Sequence, residues 1–260
     1  MRALITNDDG IDAQGVRHLA IAARDAGLDV VVAAPLSEAS GNGASIAVVE
    51  RDGQVPVTRR ELDGLRGVPA FAVDAPPAFI VLIATRDAFG PPPDVVLSGV
   101  NRGANTGRSV LHSGTVGAAL TAVAHGIPAL AVSLDLVGGF REAAPEPGDS
   151  RAHWETAARL AALLLPVRSD QFALNLNVPN LPYEQVRGLR EARLASFGSV
   201  QTRVTEESLG VVEAAVGEAG EVPEPDTDSA LVAAGFATVT ALTPPREADV
   251  PRLALPPYGG

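Results

Sequence analysis

Short apolar, β-branched runs alternate along this chain with longer stretches in which apolar residues recur every three or four positions. Ala3–Thr6, Ala13–Ala26 and Val30–Ala34 read in that order as strand, crossover helix and strand, a βαβ unit built on a parallel sheet. Asp94–Ser98, Ala129–Ser133 and Ala173–Asn177 repeat the pattern: each is short, apolar and bounded by Pro, Gly or Asn, as a strand buried on both faces should be. Pro77–Phe89, Thr115–His125 and Arg151–Leu165 lack internal Pro and are rich in Ala and Leu, and they predict helices between those strands. The order predicts an α/β fold: a doubly wound, three-layer (Rossmann-like) core around a mostly parallel sheet.

The pattern changes near residue 196. Gln201–Thr205 and Gly210–Val216 are β-rich and lead into an acidic Gly/Pro stretch, Gly217–Asp226, which predicts hairpin arms standing off the core and reaching a neighbouring subunit. From Thr243 the chain is Pro-rich and predicts an irregular tail, while 141–150 is polar, carries two prolines and predicts an exposed loop. The expected organisation is a core over 1–195 carrying the chemistry, with a C-terminal β-arm and oligomerisation extension over 196–260 that belongs to the same structural unit. No internal repeat interrupts it.

Composition narrows the function. With 260 residues and 46% hydrophobic content the chain can bury a sizeable core. A formal net charge of -11 argues against a nucleic-acid polymer or an anionic membrane as the main partner, since both demand a positive field. Cysteine is absent, which excludes disulfides and thiolate chemistry, and no apolar run approaches the ~18 residues of a membrane span. The expected location is cytoplasmic. Lysine is absent as well.

Asn7-Asp8-Asp9-Gly10 directly follows the first apolar run, so two adjacent carboxylates stand where a buried strand ends. In open α/β sheets ligands collect outside the carboxyl ends of the strands, and neighbouring carboxylates repel unless a cation or a shared proton joins them. The bland alternative is a pair of helix-capping aspartates before a tight turn at Gly10. Ser40, after the second strand, and Asn101, after Asp94–Ser98, add neutral oxygens at other strand ends, and such an oxygen set suits Mg²⁺ or Mn²⁺. Taken singly, Ser40 reads as a loop hydroxyl bonding its own backbone and Asn101 as a turn residue.

The Gly/Asn-rich stretch from Ser98 to Ser109, containing Gly99 and Asn105, leads to Ser113-Gly114-Thr115 at the start of a helix and resembles an anion cradle. It is no Walker A loop, because the required lysine does not exist, and no Gly-x-Gly-x-x-Gly follows the first strand. The alternative is a flexible loop closed by an ordinary Ser/Thr cap. His112 precedes the cradle, where it can meet substrate or leaving group; His18 and His153 fall on helices without ligand partners at useful spacing. No Gly-x-Ser-x-Gly elbow marks a serine nucleophile.

Taken in order, Asn7-Asp8-Asp9-Gly10, Ser40-Gly41, Ser98-Gly99-Val100-Asn101, Asn105 and Ser113-Gly114-Thr115-Val116 resemble the SurE family of survival-protein nucleotidases. Asn175-Leu176-Asn177-Val178-Pro179 is similar to that family's Asn-x-Asn-x-Pro strand end, and Asp226-Thr227-Asp228 to its C-terminal Asp-Thr-Asp segment. His112 departs from the family's usual Tyr, and 200–225 lacks the family's common arm pattern. The resemblance implies a metal-dependent nucleotidase releasing phosphate from nucleoside 5'(3')-monophosphates. It implies one divalent cation per subunit, Mg²⁺ or Mn²⁺, on Asp8, Asp9, Ser40 and Asn101. Asn7, Gly41, Gly99, Asn105, Ser113, Gly114 and Thr115 would line the substrate phosphate, and Asp8 and Asp9 would carry the catalysis, with Asp9 orienting or deprotonating the attacking water. It further implies a homodimer or homotetramer exchanging C-terminal elements. Two rivals stay open: a non-catalytic nucleotide- or phosphate-sensing oligomer, and a short-chain polyphosphatase.

Overall fold

The computed structural model describes residues 1–48, 54–136, 151–196, 200–208, 211–218 and 224–247. In chain order it contains β1 (Arg2–Thr6), α1 (Gln14–Asp25), β2 (Asp29–Pro35), β3 (Val57–Arg60), β4 (Ala70–Val73), α2 (Pro77–Ala84), β5 (Val95–Arg102), α3 (Gly114–Ala124) and β6 (Ala129–Asp135). There follow α4 (Trp154–Leu164), β7 (Ala173–Pro179), β8 (Leu189–Glu191), β9 (Val200–Ser208), β10 (Val211–Glu218), α5 (Asp228–Ala233) and β11 (Ala237–Leu242).

Nine strands form one sheet in the order β3-β4-β2-β1-β5-β6-β7-β11-β8. The six central strands from β4 to β7 are mutually parallel, and antiparallel pairings appear only toward the edges, β3 on β4 and β11 on β7. The expected mostly parallel α/β core is therefore present. Helices α1 and α4 pack together on one face of the sheet, and α2 and α3 on the other. Each face buries its own apolar layer: Ile5, Val32, Leu97 and Leu176 point toward α1 and α4, whereas Leu4, Val31 and Val96 point toward α2 and α3. This strict alternation is the period-two geometry of a strand with both faces covered.

Helix boundaries follow local chemistry. α2 starts on Pro77 at its first turn, where a missing N–H costs nothing. It ends short of the expected Phe89, because the Thr85 hydroxyl turns back onto the Leu82 carbonyl (2.7 Å) and Asp87 adopts a left-handed φ of 61°. α4 begins at Trp154 rather than Arg151. The Asn180 side chain accepts from the His153 N–H (2.8 Å) and donates to the Arg151 carbonyl (3.1 Å), which holds that turn outside the helix. The β-rich segments after residue 200 pair antiparallel as β9 and β10 in a sheet of their own. The expected loop at 141–150 and the tail beyond Arg246-Glu247 lie outside the described residues.

The chain leaves β1 for α1 on one face, and leaves the adjacent parallel strand β5 for α3 on the other. A crevice opens at the carboxyl ends of two such strands, where ligands of doubly wound sheets collect. β5 runs past the expected Ser98 to Arg102 by breaking register with β6 between Ser98 and Asn101. Two glycines make room for the break: a Cβ on Gly99 (φ +136°) would lie 2.2 Å from the Val132 carbonyl oxygen, and one on Gly15 would lie 1.9 Å from that of Val100. The result carries Asn101 and Arg102 to the same mouth as the turn after β1.

Candidate active site

Asp8 and Asp9 stand in the turn after β1. The Asn7 side chain clamps that turn by donating from Nδ2 to the Gly10 carbonyl (3.0 Å), and its buried Oδ1 has no hydrogen-bond partner among the described residues. Asp8 is 4% exposed. Its Oδ1 accepts the Thr115 hydroxyl, and the backbones of Gly114 and Thr115 add weaker stabilisation from the first turn of α3. Gly114 permits this approach, since a Cβ there would lie 2.8 Å from Asp8 Oδ2.

These contacts change the reading of the cradle. A helix N-terminus offers four unpaired N–H groups and a favourable dipole. Here Gly114 and Thr115 turn theirs toward Asp8, while the Ser113 side chain takes the Val116 N–H (3.1 Å) and its carbonyl takes that of Gly117 (2.9 Å). The protein's own carboxylate occupies the positive end of α3. The helix thereby stabilises that carboxylate.

Burial pushes the Asp8 carboxyl above its ordinary value, against the Thr115 hydroxyl and the nearby backbone groups. Asp9 is pushed up to about 7 by burial and by the Asp8 charge, with Glu38 adding to the push; the Arg102 N–H, bonded to Oδ2 at 3.1 Å, opposes it. Two carboxyls held in one crevice at this cost are poised for a cation. The donors are hard oxygens, and among the described residues no group of three or more His, Cys, Asp or Glu is placed to hold a metal. A site here rests on two carboxylates completed by neutral oxygens and water, which suits Mg²⁺ or Mn²⁺ better than a softer ion.

Asn101 lies at the mouth, half-buried, with Nδ2 committed to the Gly103 carbonyl (2.7 Å) and Oδ1 as its remaining oxygen. Ser40 is exposed and donates to Glu38 (2.8 Å). Its loop is nonetheless tied to the carboxylates: the neighbouring Ala39 N–H donates to the Asp8 carbonyl (2.7 Å). The same loop continues through Gly41 (φ +79°) and seats Gly43 against α3, where a Cβ on Gly117 would lie 2.5 Å from the Gly43 carbonyl oxygen. His112 is exposed, and its carbonyl accepts the Gly43 N–H (3.2 Å).

Asn105 is tied down on all sides. Its Nδ2 donates to Ser133 (2.9 Å), its carbonyl accepts from Asn175 (2.9 Å) and Asn177 (3.0 Å), and its N–H donates to Asn177 Oδ1 (2.7 Å). The network fastens the Gly-rich loop to the ends of β6 and β7, so the Asn-x-Asn pair supports the loop from beneath. Asp228, fully buried, does the same from the C-terminal side by accepting the N–H groups of Gly107, Ala195 and Ser229, each at 2.9 Å. Burial raises its pKa, against those same donors. Sequence reasoning gave no role to Glu38, Arg102, Gly43 or Gly117. A glycine inside an Ala-rich helix pattern, as at Gly117, is the one signal that marked a close approach.

The chain is similar to known proteins over most of its length. Residues 3–200 match the family model described as survival protein SurE. A 5'-nucleotidase SurE of Aeromonas hydrophila is 35% identical over 254 residues, covering 94% of this chain and 92% of that protein. A 5'/3'-nucleotidase SurE of Erwinia tasmaniensis is 36% identical over 251 residues, covering 93% and 90%. The crystal structure of a SurE protein from Aquifex aeolicus is similar with a TM-score of 0.73 at 29% identity, covering 94% of this chain and 93% of that one.

Proposed function

This chain belongs to the SurE survival-protein family, and from that premise we propose that it is a divalent-metal-dependent 5'-nucleotidase, acting on nucleoside 5'(3')-monophosphates. The observation that carries the metal reading is the adjacent Asp8–Asp9 pair, the first buried and the second half-buried, both carboxyls raised, with the N-terminus of α3 aimed at Asp8. Asp8, Asp9 and Asn101 would hold one Mg²⁺ or Mn²⁺, with Ser40 joining them from the loop that Ala39 anchors to Asp8. When bound, such an ion supplies a Lewis acid for the phosphoryl oxygens and a water of lowered pKa.

The chain's own residues do the rest. Asp9 keeps one carboxyl oxygen on the Arg102 N–H and orients or deprotonates the attacking water with the other. Ser113 accepts from Val116 and keeps its hydroxyl hydrogen to donate to a phosphoryl oxygen. Asn105 positions the Gly-rich loop through Ser133, Asn175 and Asn177. Because this framework is fastened before substrate arrives, little reorganisation opposes charge build-up at the phosphorus.

The same reading takes 1–195 as the core carrying the metal and phosphate site and 196–260 as an extension of the same structural unit: β9 and β10 would be the oligomerisation arm of a homodimer or homotetramer with exchanged C-terminal elements, while α5 and β11 return to the core, β11 pairing with β7 and Asp228 holding Gly107. What supports it is that β9 and β10 form a sheet separate from the nine-stranded one. No helix among the described residues is long and apolar enough to cross a membrane, and the chain is proposed to act in the cytoplasm.

The test is phosphate release from AMP and GMP by purified protein, with chelator and with Mn²⁺ or Mg²⁺ added back. Repeated turnover that the chelator abolishes and the metal restores is expected. Stoichiometric binding without turnover would make the protein a sensor instead, and turnover untouched by chelator would remove the metal from the mechanism.

A further inference from the structure

A cavity of about 380 Å³ opens beside Asp9, between the loop after β2, the first turn of α1 and the start of α4. Its size lies in the range of small-molecule pockets, ~300–1,000 Å³. Leu36, Leu136 and Trp154 supply apolar wall, while Asp9, Asp12 and Glu38 bring three carboxylates against the single guanidinium of Arg102. A group entering from the metal site therefore meets a field that repels a second anion. It also meets one large flat surface.

That surface is preorganised. Trp154 packs against the core layer beneath α1 and α4 while lining the cavity, and the residues leading into it are held by Asn180 through Arg151 and His153. A fixed indole at the edge of a phosphate site offers a stacking face whose benefit does not require ordering a flexible side chain. Resting on the nucleotidase reading, we infer that Trp154 is the nucleobase platform of this enzyme and that the cavity beside Asp9 holds the nucleoside. The occupant is the flat, uncharged base of a nucleoside monophosphate, whose phosphate stays at the metal site.

The test compares AMP and ribose 5-phosphate as substrates for the wild type, Trp154→Phe and Trp154→Ala. Loss of a stacking face changes binding on the order of tenfold. Trp154→Ala should raise KM for AMP by about that factor and leave ribose 5-phosphate unchanged, while Trp154→Phe retains most of the wild-type preference. A readout independent of folding and of turnover comes from the wild type itself: Trp154 is the chain's single tryptophan, so adenosine should quench its fluorescence and free ribose should not. If AMP is cleaved but Trp154→Ala cleaves it as well as the wild type does, and adenosine leaves the fluorescence unchanged, the platform is overturned and the phosphatase stands. If no phosphomonoester is cleaved while adenosine still quenches, the nucleotidase reading fails and the platform stands.

Discussion

The Thr115 hydroxyl donates to Oδ1 of Asp8 from 107 residues away in sequence, and both groups are buried. The bond joins the end of β1 to the first turn of α3 and fixes the carboxylate before any ligand binds. Thr115→Val keeps the shape and removes the donor, leaving a buried carboxylate short of a partner; the expected cost is ~1–3 kcal/mol in urea unfolding. Thr115→Ser, which keeps the hydroxyl, should recover most of that loss. Mn²⁺ affinity by calorimetry should fall in Thr115→Val and return in Thr115→Ser. Equal affinity in the two variants would mean that the bond does not orient Asp8.

Asp8→Asn and Asp9→Asn separate chemistry from folding. Asp8→Asn removes a buried negative charge and Asp9→Asn a half-buried one, each stabilised only in part, so the metal-free variants should be less stable than the wild type by no more than ~1 kcal/mol. Phosphate release should drop by on the order of 10²–10⁴, the scale of losing a metal-held or proton-transferring group. A variant that folds and turns over normally would dismiss the pair as the centre of the chemistry.

Much of this was legible in the sequence because the core strands are covered on both faces. Burial forces continuous apolar runs such as Ala3–Thr6 and Ala129–Ser133, and their carboxyl ends then point to Asp8, Asp9 and Asn101 without knowledge of the fold. The edges were not legible: β3 is largely exposed and reads Val-Thr-Arg-Arg, and β8 has three exposed residues, so neither carries a hydrophobic period. Long-range polar contacts also leave no local trace. Nothing near Gly114 in sequence announces that Gly114 and Thr115 of α3 are directed at Asp8. Ser40 shows the same limit, because its loop is recognisable while its hydroxyl bond to Glu38 is not.

The raised carboxyl of Asp9 sets a pH dependence with a definite sign. Between its ordinary value of 3.8 and about 7, the folded metal-free protein binds a proton that the unfolded chain has released. Stability of the metal-free protein must therefore fall as pH rises through that window, by up to ~1.4 kcal/mol per unit for such a group. Asp8 and Asp228 are shifted the same way. Mn²⁺ competes with the protons on Asp8 and Asp9, so the rise in Tm it produces should be larger at pH 8 than at pH 5.5. Melting curves in chelator and in Mn²⁺ across pH 5–8.5 would expose an error, since metal-free stability rising with pH across that window contradicts the assignment.

Asp228 tests whether the loop under the site depends on the C-terminal segment. One carboxyl oxygen takes the Ala195 and Ser229 N–H groups, and the other takes that of Gly107, two residues beyond Asn105. In Asp228→Asn one oxygen becomes an NH₂ that cannot accept, and turning it toward Gly107 sacrifices one bond rather than two. The stability loss should be ~1–3 kcal/mol, and Asp228→Ala, which abandons all three donors, should lose more. Released at Gly107, the loop that carries Asn105 should hold its substrate-facing groups less firmly, so Asp228→Asn should lower turnover while leaving Asp8, Asp9 and their affinity for Mn²⁺ intact. Amide exchange at Gly107 reads the tie directly. Wild-type protection of that amide in Asp228→Asn, together with unchanged turnover, would show that Ser133, Asn175 and Asn177 hold the loop without help from the C-terminal side.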